Sequence, residues 1–172
     1  MKKTNFIIAT AAAAAALLNL SSCHKHDEGE LITTVKLTLT PSGGASKTYV
    51  WSDPDGIGGN APKQADTLIC DSGMVYSGEL QFFNGDNDIT SEIKNEGKEH
   101  FVCYSGPTTD VLEITYKDSD GKYAIGLSTE FKAGKKSSGL LRTTLKHQAK
   151  NKNGTCDRGE TDVDVTFPFL IK

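Results

Sequence analysis

The stretch Leu31-Ile32-Thr33-Thr34-Val35-Lys36-Leu37-Thr38-Leu39-Thr40 alternates between apolar and polar side chains. Positions 31, 33, 35, 37 and 39 fall on one side of an extended chain, and the positions between them fall on the other. This period of two predicts a β-strand with one buried face and one solvated face. The residues that follow, Pro41-Ser42-Gly43-Gly44, predict a tight turn.

The rest of the chain carries the same kind of strand signal. Further strands are predicted over Thr48–Ser52, Met74–Phe83, His100–Tyr104, Val111–Lys117, Tyr123–Phe131, Leu140–His147 and Asp162–Phe169, with a short one over Thr67–Cys70. One helix is predicted over Ile89–Glu96, with Asp88 or Thr90 as its N-cap and Gly97 after its end. Seven or eight strands with one short helix predict an all-β fold, an antiparallel β-sandwich, with a closed barrel as the alternative.

The N-terminus has the layout of a secretory signal peptide. Lys2 and Lys3 precede a mostly apolar run of about 13 residues, shorter than the roughly 20 that span a bilayer. The run leads into Leu20-Ser21-Ser22-Cys23, which resembles the bacterial lipobox. We therefore predict that residues 1–22 are a lipoprotein signal peptide. Acyl chains such as palmitate on Cys23 would then anchor the mature chain to a membrane of the cell envelope.

Residues 23–30 are polar and predict a solvated, charged tether. The acidic residues after Cys23 resemble the export signal of surface lipoproteins of Bacteroidota, which implies an outer-membrane location exposed at the cell surface. His24 and His26, together with Asp27 and Glu28, also suit a transition-metal ion. A tether that binds no metal is the alternative.

Residues 31–172 are predicted to form one domain, large enough for a hydrophobic core. Without Lys2 and Lys3 the chain has 17 basic and 22 acidic residues, a net charge of −5. It has no basic cluster of the kind that contacts phosphates, which argues against nucleic-acid binding. Cys70, Cys103 and Cys156 remain beside the lipidated cysteine. Outside the cytoplasm a disulfide is allowed, and the sequence leaves its pairing open.

Two Asp-x-Asp-Gly loops are candidate calcium sites. Asp53 and Asp55 begin the first loop, and Asp118 and Asp120 begin the second. Calcium takes about six to eight oxygen ligands, which carboxylates and the carbonyls of a tight bend supply. The first loop departs from the EF-hand pattern, since Gln64 stands where a glutamate is expected. Aspartate and glycine are also the residues of hairpin turns, so a turn without an ion is the alternative.

The sequence contains no Gly-x-Ser-x-Gly motif, and the folded part has only His100 and His147 as histidines. A glycan hydrolase needs two facing carboxylates, and the 22 acidic residues do not identify such a pair. Asp66-Thr67-Leu68 resembles the O-glycosylation motif of Bacteroidota, which implies Thr67 as an acceptor.

A further resemblance is carried by residues spread over the chain: Glu30-Leu31-Ile32-Thr33-Thr34-Val35, Ser52-Asp53-Pro54-Asp55-Gly56, Gly59-Asn60-Ala61-Pro62, Asp88-Ile89-Thr90, Glu99-His100, Tyr116-Lys117-Asp118 and Gly159-Glu160-Thr161-Asp162-Val163-Asp164-Val165-Thr166-Phe167. Together they resemble a family of small Bacteroidota lipoproteins of unknown function. Its members are often labelled type 1 periplasmic binding fold and sometimes GTP cyclohydrolase. Neither label fits, because a periplasmic binding protein alternates strands and helices over two lobes. The resemblance implies an accessory role in uptake beside an outer-membrane receptor.

The sequence thus predicts a cell-envelope lipoprotein with a non-catalytic binding or accessory domain, with calcium as its candidate cofactor. Two alternatives stay open. One is a small secreted glycan hydrolase, and the other is a metal-handling accessory that uses the His24 and His26 tether.

Overall fold

The computed structural model describes residues 31–56 and 58–172, which form eleven strands and one short helix. In chain order these are β1 (Thr34–Pro41), β2 (Lys47–Ser52), β3 (Gln64–Ala65), β4 (Leu68–Cys70), β5 (Val75–Asn84), β6 (Asn87–Asp88), α1 (Thr90–Asn95), β7 (His100–Ser105), β8 (Leu112–Tyr116), β9 (Ser128–Ala133), β10 (Ser137–His147) and β11 (Glu160–Ile171). The lipidation residue Cys23 and the tether residues His24 and His26 lie outside the described residues.

The strands form two sheets, which confirms the predicted β-sandwich. The larger sheet has the order β3-β2-β1-β5-β9-β8, with β6 paired to β5, and the smaller has the order β4-β11-β10-β7. Phe82 and Phe131 from the larger sheet and Phe167 from the smaller one are fully buried in the core between them. Fully burying one such side chain contributes about 1.5–3 kcal/mol.

Eight of these strands have five or more residues and correspond to the eight longer predicted strands. The short strand predicted over Thr67–Cys70 appears as β4, whereas the two-residue strands β3 and β6 carry no sequence signal. One pairing differs from the antiparallel prediction, because β4 runs parallel to β11. It is the one parallel pairing among the described strands.

The alternation that predicts β1 is confirmed over most of its length. Val35, Leu37 and Leu39 are at most 2% exposed, while the residues between them are half-buried. The prediction is wrong at Leu31, which is 58% exposed, whereas Ile32 is buried. Pairing with β2 and β5 begins only at Thr34, so the two-residue period does not extend back to Leu31.

The strand predicted over Tyr123–Phe131 begins later, at Ser128, because a compact loop occupies its first half. Within this loop Asp118 accepts hydrogen bonds from the backbone N–H groups of Gly126, Leu127 and Ser128 at 2.7, 2.9 and 3.1 Å. Gly126 has a φ of +97°, and a Cβ there would lie 2.8 Å from Cβ of Val102. A side chain other than hydrogen would therefore both strain and crowd the loop.

The helix lies where the sequence predicts it, but its capping differs from the prediction. Ile89 is the N-cap residue and makes no side-chain capping bond. Asp88, the residue before the N-cap, instead accepts a hydrogen bond from the backbone N–H of Thr90 at 2.9 Å. The Thr90 hydroxyl accepts from the backbone N–H of Phe82 at 2.9 Å, which ties the helix to β5.

Cys103 and Cys156 form a disulfide with their Cα atoms 5.9 Å apart, and Cys70 is a buried free thiol. The disulfide resolves the pairing that the sequence leaves open. Cys103 lies on β7 and Cys156 in the loop between β10 and β11, so the bond fastens that loop to the edge strand of the smaller sheet.

Candidate metal centre

Two histidines and one aspartate converge at one end of the smaller sheet. His100 begins β7 and His147 ends β10, and the antiparallel register places them directly opposite each other. Their rings are stacked with centroids 4.9 Å apart. Asp162 lies on β11 where the pairing with β10 shifts register between Leu145 and Lys146, and its Oδ2 lies 3.7 Å from Nε2 of His100. One ligand atom of each of the three residues lies within 4.8 Å of the others.

Two of the three side chains are deeply buried and lack hydrogen-bond partners. The side chains of His100 and Asp162 are each 1% exposed. Within the described part of the chain, neither ring nitrogen of His100 nor Oδ2 of Asp162 makes a hydrogen bond. The 3.7 Å between them is too long for one. An unsatisfied buried polar group costs about 1–3 kcal/mol, so this arrangement is unfavourable unless something else binds these atoms.

The burial shifts the pKa of both groups. Burial and the neighbouring His147 lower the pKa of His100 to about 4, and burial raises the pKa of Asp162 to about 6. At neutral pH His100 is therefore uncharged and Asp162 mostly ionised. A neutral imidazole and a carboxylate are the forms in which these residues bind metal ions.

Two glutamates lie at the outer side of the cluster. Oε2 of Glu99 is 3.3 Å from Nε2 of His147, and Oε2 of Glu96 is 3.9 Å from Nδ1 of His100. The side chain of Glu99 is 45% exposed and that of His147 is 20% exposed, so the cluster reaches solvent on their side. Glu99 is thus placed to supply a further oxygen ligand or to orient the His147 ring.

The backbone around the cluster is held by several fixed contacts. The backbone N–H of Gln148 donates to the carbonyl oxygen of Glu99 at 2.6 Å, which joins the end of β10 to the start of β7. The buried Gln148 amide donates to the carbonyl oxygens of Thr155 and Arg158 at 2.7 and 3.1 Å. Together with the disulfide, these bonds hold the loop after β10 and thereby the position of His147.

The donor set of two imidazoles and one carboxylate fits zinc and neighbouring divalent transition metals. Three protein ligands with a fourth position open to water or to Glu99 make a four-coordinate site. Donors around a tetrahedral zinc ion lie about 3.3 Å apart, given bond lengths of about 2.0–2.1 Å. The cluster, with separations of up to 4.8 Å, would have to contract, and the partly exposed His147 is the side chain with room to move.

The structure places the predicted calcium residues Asp118 and Asp120 in one loop, where both carboxylates bind the protein itself. Both oxygens of Asp118 accept backbone N–H groups of residues 126–128. Asp120 accepts from the backbone N–H groups of Lys122 and Tyr123 and from Nζ of Lys152, all at 2.8 Å. An ion bound here would have to replace these hydrogen bonds.

Asp53 and Asp55 lie close together in the loop after β2. Asp53 is 5% exposed, and burial and the Asp55 carboxylate raise its pKa. Asp55 accepts from the backbone N–H and side-chain amide of Asn60 at 2.9 and 2.8 Å, which lower its pKa. Calcium at this loop stays a prediction. Thr67 is exposed between β3 and β4, and its glycosylation also stays a prediction.

No family model, no curated protein and no solved structure matches the chain. Among the described residues, no helix is long and apolar enough to cross a membrane.

The sequence shows both histidines but does not reveal that they meet. A usable signal does exist: His100 opens one predicted strand and His147 closes another, which are equivalent ends if the two strands pair antiparallel. Asp162 begins a third predicted strand. That the three strands are neighbours, and that a register shift turns Asp162 toward His100, follows only from the tertiary fold.

Proposed function

We propose that the protein is a cell-envelope lipoprotein whose β-sandwich is a non-catalytic module that binds a divalent transition-metal ion. His100, His147 and Asp162 are the ligands. The observation that carries this proposal is the pair of buried side chains, His100 and Asp162, whose polar atoms face each other without hydrogen bonds. A metal ion would satisfy these atoms and remove the cost of burying them unpaired.

The chemistry of the donors favours zinc-like ions over calcium at this cluster. Imidazole is a good ligand for zinc, copper, nickel and iron, whereas calcium binds almost only oxygen. The sandwich supplies the rigidity that such a site needs, because two ligands lie at strand ends and one lies within a strand.

We also propose a cellular location for this domain. Lipid on Cys23 would hold the domain at the outer membrane through a short tether, next to a receptor that it assists in uptake. Support comes from the signal peptide pattern, from the Leu20-Ser21-Ser22-Cys23 motif and from the resemblance to small Bacteroidota lipoproteins. Intact-mass measurement of native material tests it, since an unmodified N-terminus or a retained leader would contradict lipid anchoring.

The glycan-hydrolase alternative has weaker support. Such an enzyme needs two carboxyl groups that face each other across an open cleft, one of them with a raised pKa. Asp162 has a raised pKa, but its side chain is 1% exposed and it faces His100 rather than a second carboxylate. Asp120 borders a cleft, but burial of its carboxylate is outweighed by Lys152 and two backbone N–H groups, which hold its pKa at about 2.

Metal binding by purified, metal-stripped protein is the direct test. We expect one zinc ion per chain in equilibrium dialysis, and cobalt should give the intense visible absorption of a four-coordinate site with histidine ligands. His147→Ala should weaken zinc binding by more than about 100-fold. This exceeds the roughly 10–100-fold loss of affinity that is expected when only a hydrogen bond to a metal ligand is removed. Because His147 is partly exposed, this variant should keep its fold, which circular dichroism verifies. Asp162→Asn provides a second variant that preserves the shape of the side chain.

The matched control is the double variant His24→Ala with His26→Ala, which removes two histidines from the tether. The proposal predicts that this control leaves zinc affinity and the cobalt spectrum unchanged. Loss of binding in the control but not in His147→Ala would instead assign metal binding to the tether. A wild-type protein that binds no zinc and gains no thermal stability from it would refute the proposal, since a ligand bound to the native state must stabilise it.

A further inference from the structure

A cleft lined by four lysines borders the metal-ligand cluster. It has a volume of about 340 Å³ and is formed by Lys98, Lys122, Lys150 and Lys152 with Tyr123 and Glu99. This volume is that of a small-molecule site. Glu99 is shared with the cluster, because its carboxylate also contacts His147. The cleft and the cluster are therefore adjacent, and Glu99 lies between them.

The two carboxylates that line the cleft, Glu99 and Asp120, offset only part of the positive charge of its four lysines. Lys152 forms an ion pair with Asp120, whose carboxylate also borders the cleft. Lys98, Lys122 and Lys150 have no carboxylate within ion-pair distance among residues 31–56 and 58–172. Three exposed lysines thus face one cleft of a domain that is acidic as a whole. Clustered like charges of this kind raise the local concentration of oppositely charged ligands.

Three separate segments of the chain bring these lysines together. Lys98 precedes β7, Lys122 lies in the loop between β8 and β9, and Lys150 follows β10. Lys150 has a φ of +63° and is the one residue other than glycine with a positive φ in the described ranges. A lysine in this conformation is strained, and such strain persists where the surrounding structure imposes it, often at binding sites.

The cleft also offers an apolar wall. The Tyr123 ring is half-buried, with Nζ of Lys122 above it at 4.8 Å from the ring centroid. Gly154 also lies close to this ring, since a Cβ there would be 2.8 Å from Cδ1 of Tyr123. A bound molecule would therefore meet lysines from three segments of the chain, the Glu99 side chain and one aromatic ring.

We infer that this cleft binds a small organic anion that carries carboxylate or phosphate groups. Lysine ammonium groups bind both groups as point charges, and Tyr123 supplies contact for the carbon skeleton. The inference goes beyond metal binding, because the lysines attract the anion whether or not an ion occupies the neighbouring cluster.

Isothermal titration calorimetry on metal-free protein tests the inference, with citrate as the carboxylate probe, pyrophosphate as the phosphate probe and glycerol as the neutral control. We expect one citrate or pyrophosphate per chain, weaker binding at higher salt, and no binding of glycerol. Lys98→Ala with Lys122→Ala should raise the dissociation constant by about tenfold or more.

The matched control is Lys117→Ala with Lys132→Ala, which removes the same charge from the larger sheet, where these lysines pair with Glu130 and Glu113. It should change the dissociation constant by less than about twofold, as expected for exposed pairs. Equal weakening by both double variants, or no binding of either anion, would overturn the inference. Since no metal is present, neither result bears on zinc binding, and a failure of zinc binding would leave the anion result intact.

Discussion

Replacement of Lys152 by methionine should destabilise the domain by about 3 kcal/mol, the low end for breaking a buried ion pair. Nζ of Lys152 donates to Oδ2 of Asp120 at 2.8 Å and to the carbonyl oxygen of Gly97 at 2.6 Å. The two side chains of the pair are only 4% and 6% exposed. Lys152→Met keeps most of the apolar stem but leaves the carboxylate and the carbonyl without this donor. Asp120 retains two backbone N–H donors, which is why we expect the low end of the range.

Chemical denaturation by urea and thermal unfolding measure this effect. For a chain of this size each kcal/mol lowers the melting temperature by about 2–4 °C, so we expect a decrease of about 6–12 °C. Lys132→Met is the control, because its pair with Glu113 is exposed on both sides and should contribute less than about 1 kcal/mol. Asp120→Asn combined with Lys152→Met should cost less than the sum of the two single variants. If Lys152→Met lowers the free energy of unfolding by less than about 1 kcal/mol, the pair contributes no more than an exposed ion pair, and the argument from its burial is refuted.

Two further predictions concern the same end of the molecule. Cys103→Ser should destabilise the domain by about 4 kcal/mol, because the disulfide joins residues 53 positions apart and restricts a long loop of the unfolded chain. Equal urea midpoints for the variant and the oxidised wild type would contradict this prediction. Stability should also fall in acid. Lys152 and two backbone N–H groups outweigh burial and hold the pKa of Asp120 at about 2 in the folded protein, below its ordinary value of 3.8. The stabilisation is therefore present above about pH 4 and lost as the pH falls toward 2. Denaturation midpoints measured across this range should decline more steeply in the wild type than in Asp120→Asn, and parallel declines would contradict the assignment.

Much of the fold follows from local sequence patterns. The alternation of Val35, Leu37 and Leu39 with polar neighbours predicts β1 because a strand that is buried on one face needs that period. The eight longer strands carry the same signal, although their ends differ from the predicted ends by a few residues. At Tyr123 the competing structure is the loop closed by Asp118, whose bonds to Gly126, Leu127 and Ser128 no strand pattern can indicate.

The candidate metal centre could not be predicted in the same way, because its parts become neighbours only in the folded sheet. The sequence separates His100 from His147 by β8, β9 and most of β10, yet these two residues are directly opposite in the β7–β10 register. Asp162 joins them only through the shift in the β10–β11 pairing, which local patterns do not reveal. The lysine cleft has the same origin, since its charges come from three loops that are far apart in the chain.

The two sites together suggest why this end of the sandwich departs from ordinary core packing. Two apolar side chains in place of His100 and Asp162 would fill the same volume without unsatisfied polar atoms. Such replacements often leave the free energy of unfolding unchanged or increase it. The loop after β10 likewise holds Lys150 in a strained conformation, and the adjoining cleft brings it near Lys98 and Lys122, all three without an ion-pair partner among the described residues. Departures from local rules that cost stability are expected where a protein binds something. A metal ion at the cluster and an anion in the adjoining cleft would each offset one of these costs, and each would place a charge opposite in sign to that of its surroundings.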